Sequence, residues 1–348
     1  SVLSFKDKYF GDKNFYKMTL TIAVPIIIQN LLTNLVSMAD NIMVGQLGTN
    51  QMSGVAIINQ LFFVFNLLVF GGMSGAGLFS AQYFGQKNHN GVRDVFRMKI
   101  LIGITIIAIS LSVMIFLHEP LINMFLHEGS SSGNIQETFN YAKNYLYIMV
   151  IGIAPFVISN CYSTTLKESG QTVVPMKAGV LAVVFDIVLN YIFIFGKLGF
   201  PTLGIAGAAI ASSISEAVAV IFFLVYTRLQ IDDQKYCLFQ SLNVNKSILK
   251  KVLDISIWMM IQHGLVFGGW FVFFLTVEHL GERSLATTNI VRNISSFLFM
   301  FLQAFASVNS SLVSNLIGEG KSDKVMKLCR KSILLCYLFV LPVALFIA

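Results

Sequence analysis

The apolar residues of this chain are gathered into long uninterrupted runs, separated by short polar stretches. The runs cover approximately residues 18–44, 54–84, 100–117, 141–165, 173–195, 204–227, 255–277, 287–317 and 333–348. About 20 residues of helix cross the hydrocarbon core of a bilayer, so most of these runs are long enough to span it. They are continuous rather than alternating, which favours helices over barrel strands. In lipid, moreover, every backbone N–H and C=O must be satisfied within the element. The pattern predicts an all-α polytopic membrane protein with about nine transmembrane helices.

Composition agrees with the pattern. The chain is 55% hydrophobic and 12% charged, against roughly 25% charged for an ordinary soluble domain. That leaves too little polar surface to coat a water-soluble globule. The stretch before Met18 is polar and basic, and the run that follows is too long for a signal-peptide core, so no cleaved leader is expected. The four cysteines, Cys161, Cys237, Cys329 and Cys336, match no zinc or disulfide spacing and read as free thiols.

The net charge of +7 is explained by its placement. With the N-terminus inside, the inner segments carry Lys6, Lys8, Lys13 and Lys17; Lys87, Arg93, Arg97 and Lys99; Lys167 and Lys177; then the basic linker 228–251; then Lys321, Lys324, Lys327, Arg330 and Lys331. The outer segments carry only Lys143, Lys197 and Arg283, and Arg292 falls inside a run. Such a bias marks orientation. It points to a multi-pass protein of a bacterial inner membrane with a cytoplasmic N-terminus, and away from a nucleic-acid partner. The outer loop after the third run is acidic, with Glu119, Glu128 and Glu137, and contains the flexible stretch 129–133.

The chain also resembles itself. Slid along so that Leu20 meets Leu253, it matches without gaps to about Leu101. Gln29 meets Gln262, Gly48 meets Gly281, Gly85 meets Gly318 and Arg97 meets Arg330. Runs, turns and basic loops coincide together. The unit is about six helices, an even number, so both copies start inside and the repeats are parallel, an arrangement that places a site between two halves. The chain therefore divides into a six-helix lobe, residues 1–231, and an incomplete second lobe, residues 232–348, that lacks about three helices of a full copy. A C-terminally truncated chain, about nine of twelve helices, is the expectation.

Ionisable residues inside a span cost several kcal/mol and default to function. Asp40 ends a polar stripe (Gln29, Thr33, Ser37, Asp40), with Asn30, Asn34 and Asn41 beside it. Asp186 and Asn190 are four apart and share a helix face. Asn160 and Tyr162 lie on the fourth run, and Ser212, Ser213 and Glu216 on the sixth. These groups form a candidate polar cavity in which carboxylates hold Na+ with neighbouring oxygens, or hold a proton. Two bland readings stay open. Asp40 can be an interfacial residue reaching for headgroups, and Asp186 can be a helix–helix hydrogen bond. In the second lobe the polar residues are Gln262, His263, Asn289, Arg292, Asn293 and Gln303, and a lone histidine such as His263 is commonly a packed one. Arg292 can pair with Glu278 or face a cavity. Gly71, Gly72, Gly75 and Gly77, and Gly204, Gly207, Ala208 and Ala211, permit close helix packing. Pro25, Pro155 and Pro175 are candidate kinks. No phosphate-binding Gly-Lys loop and no His-Glu-x-x-His pair occurs, so neither an ATP-driven pump nor a zinc hydrolase is expected; the chain is not read as an enzyme.

Three segments carry a family resemblance. Ala23-Val24-Pro25 and Ala39-Asp40-Asn41-Ile42-Met43-Val44-Gly45, with Leu47-Gly48, resemble the first helix of the multidrug and toxic compound extrusion (MATE) transporters. Leu166-Lys167-Glu168-Ser169-Gly170-Gln171-Thr172, with Pro175-Met176, resembles the loop between that family's helices four and five. Asp186 to Asn190, Phe193-Ile194-Phe195-Gly196 and Leu203-Gly204-Ile205-Ala206-Gly207-Ala208-Ala209-Ile210-Ala211 resemble its helices five and six. The resemblance implies two pseudo-symmetric six-helix lobes around a V-shaped cavity and export of organic cations against Na+ or H+, with no other cofactor. It implies cation coupling at Asp40, with Asp186, Asn190 and Ser212 as the partners of a possible Na+ site. Several members carry Asn and then Asp on helix five, where this chain has Asp186 and then Asn190. Ser212 stands where a cation-binding Thr stands in the family, and Gln262 or His263 stands near its second-lobe acid. The substrate cavity is expected at Asn34, Ser37, Asn160, Tyr162, Glu216, Gln262 and His263, in a monomer in the lipid bilayer. The alternatives are a lipid or lipid-linked oligosaccharide flippase of related architecture, which needs several cavity cations to meet phosphates, and a non-transporting membrane scaffold.

Overall fold

The computed structural model describes residues 9–126, 134–229, 246–278 and 282–347. The stretch 129–133, Cys237, most of the linker 228–251 and the side chains of Glu278, Arg283, Asn289 and Asn293 lie outside the described residues. The described residues form ten α-helices: α1 (Lys13–Gly45), α2 (Thr49–Gly85), α3 (His89–Phe116), α4 (His118–Phe125), α5 (Ile135–Glu168), α6 (Val173–Phe195), α7 (Ile205–Leu229), α8 (Lys246–Glu278), α9 (Glu282–Gly318) and α10 (Val325–Ile347). All but the short α4 contain a stretch long and apolar enough to cross a membrane, nine such spans among the described residues.

Helix ends fall where local chemistry puts them. Asp12, Asn88 and Asn134 cap α1, α3 and α5, accepting from the backbone N–H groups of Phe15, Gly91 and Gln136 at 3.2, 3.0 and 3.0 Å. Several helices outrun their apolar cores. α3 begins at His89 rather than near 100, so Arg93, Arg97 and Lys99, expected in an inner loop, stand on its first turns. Pro175, expected as a kink, lies in the first turn of α6, where a missing N–H costs nothing. Pro25, Pro155 and Pro342 lie inside α1, α5 and α10.

The first lobe closes as a ring. α1 packs on α6, α6 on α7, α7 on α5, α5 on α2, and α2 touches α1; α3 lies against α2 and α5. The second lobe joins through α2, against which both α8 and α9 pack, while α1 packs on α9. At this seam the internal repeat becomes geometry. Gly85 abuts the backbone of Asn315, and Gly318 abuts the backbone of Gln82. Since Gly85 aligns with Gly318 and Gln82 with Asn315, this is one contact made twice about a pseudo-two-fold axis. The turns beyond match as well. Lys87 N–H donates to the Phe84 carbonyl and Asn88 N–H to the Tyr83 carbonyl, both at 2.9 Å; the equivalent Gly320 and Lys321 N–H groups donate to Ile317 and Leu316 at 3.0 and 2.9 Å. Lys87 and Gly320 both take positive φ, +57° and +74°, the left-handed residue that ends a Schellman turn.

The same symmetry pairs α8 on α2 with α1 on α9. Gly71 and Gly75 let α8 approach until Met260 and Ser256 lie against the α2 backbone, and Ser256 Oγ donates to the Gly72 carbonyl at 3.1 Å. The aligned positions, Ala23 of α1 with Ala304 and Val308 of α9, form a second buried cluster with Ile26 and Phe305. Gly77 has a different role: its missing side chain makes room for the Glu168 carboxylate. That carboxylate receives Lys99 Nζ at 2.8 and 2.6 Å, and Nζ also donates to Thr164 and Thr165 hydroxyls at 3.1 and 3.2 Å. Lys99 is fully buried, a buried ion pair where the apolar pattern suggested a solvated loop charge.

Candidate functional site

A polar centre forms where α1, α6 and α7 meet inside the first lobe. The i, i+4 spacing on α6 turns Asp186 and Asn190 to the same side, and both are buried, at 4% and 0% exposure. Asn190 Nδ2 donates to Asp40 Oδ1 at 2.7 Å and to Asp186 Oδ2 at 3.0 Å. One amide thus bridges two carboxyls from two helices. The carboxyls of Asp40 and Asp186 are thereby close enough for their charges to interact. From α7, the Ser215 hydroxyl lies within donating distance of Asp186 Oδ1 at 3.2 Å and of the Ser212 carbonyl of its own helix at 2.9 Å, with Ser212 on the same stretch of α7.

One atom of this centre is unanswered. Asn190 Oδ1 is buried and has no hydrogen-bond partner among the described residues. A buried carbonyl oxygen without a donor carries a desolvation penalty of about 1–3 kcal/mol. A cation or a donor placed beside it removes that cost. It stands on the same amide that bridges the two carboxyls, in a neighbourhood whose oxygens are of the hard kind that Na+ takes.

The surroundings are acidic. Glu216 on α7 is half-buried and close enough to Asp186 for their charges to interact. Tyr145 on α5 is buried and stands within electrostatic range of both Asp40 and Asp186. Neither Tyr145 nor Ser215 is singled out by sequence pattern. Tyr145 resembles an ordinary interfacial aromatic, and Ser215 differs from Ser212 only in the rotational phase of α7, which the i, i+3 spacing leaves open.

The other expected cavity residues are scattered. Asn34 is exposed on α1, its Nδ2 donating to the Asn30 carbonyl at 3.0 Å and to Met300 Sδ of α9 at 3.4 Å, so it lies at the seam between lobes. Ser37 is exposed one turn below Asp40. Asn160 turns its amide onto its own helix, donating to the Phe156 carbonyl at 2.9 Å. Tyr162, expected at a cavity wall, is instead buried in the core, stacked on Phe223 at 5.9 Å and edge-on to Phe96 at 4.9 Å. Gln262 is exposed on α8, and His263 Nδ1 is 2.8 Å from the Met259 carbonyl of the same helix, the packed-histidine geometry. α8 packs on α2 rather than on α6 or α7, so these two residues stay apart from the carboxyl pair. Cys161, Cys329 and Cys336 are free thiols.

Comparison with known proteins identifies the architecture. The MatE family model matches residues 25–192 and 259–348. A probable multidrug resistance protein NorM of Thermotoga maritima is 28% identical over 95% of this chain, which spans 69% of that relative. Among solved structures, an outward-facing multidrug resistance MATE family transporter of the MOP superfamily superposes with a TM-score of 0.83 at 21% identity, covering 97% of this chain and 72% of that one. A MOP superfamily transporter from Pyrococcus furiosus, described as having a binding pocket of reverse polarity, superposes with a TM-score of 0.79 at 22% identity, covering 100% and 74%. Two pseudo-symmetric lobes of membrane-spanning helices, joined at a mirrored glycine contact and matched by that family model over most of their length, make this chain a multi-pass membrane protein of the MatE family of multidrug transporters.

Proposed function

We propose that the chain belongs to a secondary active exporter that moves small organic cations out of the cell against Na+ or H+ entry, by alternating access. The supporting observation is the Asp40–Asn190–Asp186 bridge with its unanswered Asn190 oxygen. In this reading the carboxyl pair holds either a proton or a Na+ ion, with Asn190 Oδ1 and the Ser212 and Ser215 hydroxyls completing the coordination. Glu216 adds negative charge beside the pair and attracts a cationic substrate into the lobe. Loading the pair stabilises one arrangement of the lobes and substrate binding the other. Each ligand shifts the balance only by its differential affinity for the two states. One charge crossing 100 mV contributes about 2.3 kcal/mol to the cycle. Asn34, touching Met300 across the seam, lies where the lobes separate. The protein works as a monomer in a bacterial inner membrane, its N-terminus and basic turns cytoplasmic.

Charge separates this reading from a flippase. A lipid-phosphate carrier needs cationic groups in its cavity, whereas the groups gathered here are Asp40, Asp186 and Glu216. Ethidium efflux from cells expressing the chain tests the proposal. Efflux that depends on a Na+ or H+ gradient and is lost in Asp40→Asn supports it. Wild-type efflux in Asp40→Asn removes the carboxyl pair from the mechanism.

A further inference from the structure

We propose that a groove on the outer surface of the first lobe, between α6 and α7, binds an anionic phospholipid of the cytoplasmic leaflet. The groove has a volume of about 340 Å³ and is walled by Leu181, Val218, Ile221, Phe222, Val225 and their neighbours toward Leu229. That is within the size range of small-molecule sites. Its walls are almost wholly apolar; the hydroxyl of Tyr226, near the basic end of α7, is the polar tip. Ile221, Val225 and Leu229 are exposed, while the opposite side of α7 carries the buried Ser215, Ala219 and Phe223. The groove therefore opens on a different side of α7 from the one that carries Ser215 toward the carboxyl centre.

Charge identifies the occupant. Lys177 is exposed one helical turn before Leu181 on α6, and Arg228 is exposed in the last turn of α7, beside Val225 and Leu229. Neither makes an ion pair among the described residues. The acids of these two helices are Asp186 and Glu216. Asp186 is buried in the polar centre and Glu216 faces it, both deeper in the membrane than the groove's basic mouth. An apolar slot whose two helices each carry, within a turn of its lining residues, a cation without an ion pair among the described residues matches an acyl chain topped by a phosphate, and a basic pocket between helices at the cytoplasmic face is a recurring headgroup site. Tyr226 at the same level supplies the amphipathic ring that favours the interface.

The test is native mass spectrometry of the delipidated chain in detergent. It is titrated with phosphatidylglycerol or phosphatidylcholine bearing the same palmitoyl and oleoyl chains. Retention of phosphatidylglycerol should exceed that of phosphatidylcholine roughly thirtyfold at equal concentration, the effect of two near-surface cations. The double variant Lys177→Gln/Arg228→Gln should bring the two within about twofold of each other. Val225→Trp, which fills the slot, should lose retention of both; if it does not elute as a single species, Ile221→Trp takes its place. Equal retention of both lipids by the unaltered chain overturns the proposal. So does displacement of the lipid by inorganic phosphate, which marks an anion site without an acyl slot. A phosphatidylglycerol preference that survives groove filling overturns it too.

Discussion

At the scale of single residues, the polar centre depends on one amide. Asn190 holds two carboxyls that would otherwise repel, and it does so with one end only. Asn190→Ala should therefore lower export at least tenfold, since the carboxyls lose their bridge and the cation loses a ligand; initial rates of ethidium efflux measure it. Ser215→Ala should cost less than Asn190→Ala in the same assay, because its hydroxyl is shared with the Ser212 carbonyl and Asn190 still bonds Asp186. The Asp186–Asn190 pair is legible in the sequence, because a spacing of four has one meaning on a helix. Asp40 is legible as an acid in an apolar run. Its partnership with Asp186 is not, because it depends on how α1 and α6 cross. The bland reading of Asp186 as a helix–helix hydrogen bond describes its contacts, and those contacts are what make it a candidate coupling group. Tyr162 misled for the converse reason: its hydroxyl suggested a cavity wall, while its ring fills a core gap between Phe96 and Phe223.

At the scale of helices, glycine and buried charge do the positioning. Gly75 lets Ser256 reach the Gly72 carbonyl. Gly75→Val should push α8 off α2 and destabilise the chain by about 1–3 kcal/mol, read as a lower unfolding midpoint in detergent. The Lys99–Glu168 pair offers a sharper contrast. Lys99→Met alone strands a buried carboxylate and should cost about 3–5 kcal/mol, whereas Lys99→Met with Glu168→Leu should recover most of that loss. Equal destabilisation by the single and double variants would contradict this account of the pair. Lys99 is unreadable from sequence because it follows Arg93 and Arg97 in one basic run, and nothing in the spacing separates the residue that pairs with Glu168 from its neighbours. The capping residues Asp12, Asn88 and Asn134 were readable in principle, but apolar runs mark the hydrocarbon core and not the helix ends, so α3 and α5 extend beyond their runs.

At the scale of the whole molecule, the repeat was visible in sequence as aligned runs and turns. The structure adds the axis: Gly85 on Asn315 and Gly318 on Gln82. The lobes meet chiefly through α1, α2, α8 and α9, so the rocking that the proposed alternating access needs would pass through this seam. The proposed orientation rests on the basic turns. Lys143→Cys should react with a membrane-impermeant maleimide on intact cells and Lys87→Cys should not, provided the native cysteines are first replaced. The reverse result would invert the proposed topology. The central claim, that the carboxyl pair is where the driving ion acts, is tested most directly in proteoliposomes, by imposing a Na+ or proton gradient and measuring uptake of a fluorescent organic cation. The account predicts gradient-dependent transport by the unaltered chain, and transport in Asp40→Asn and Asp186→Asn that no longer responds to either gradient. Full gradient dependence in both variants would contradict it.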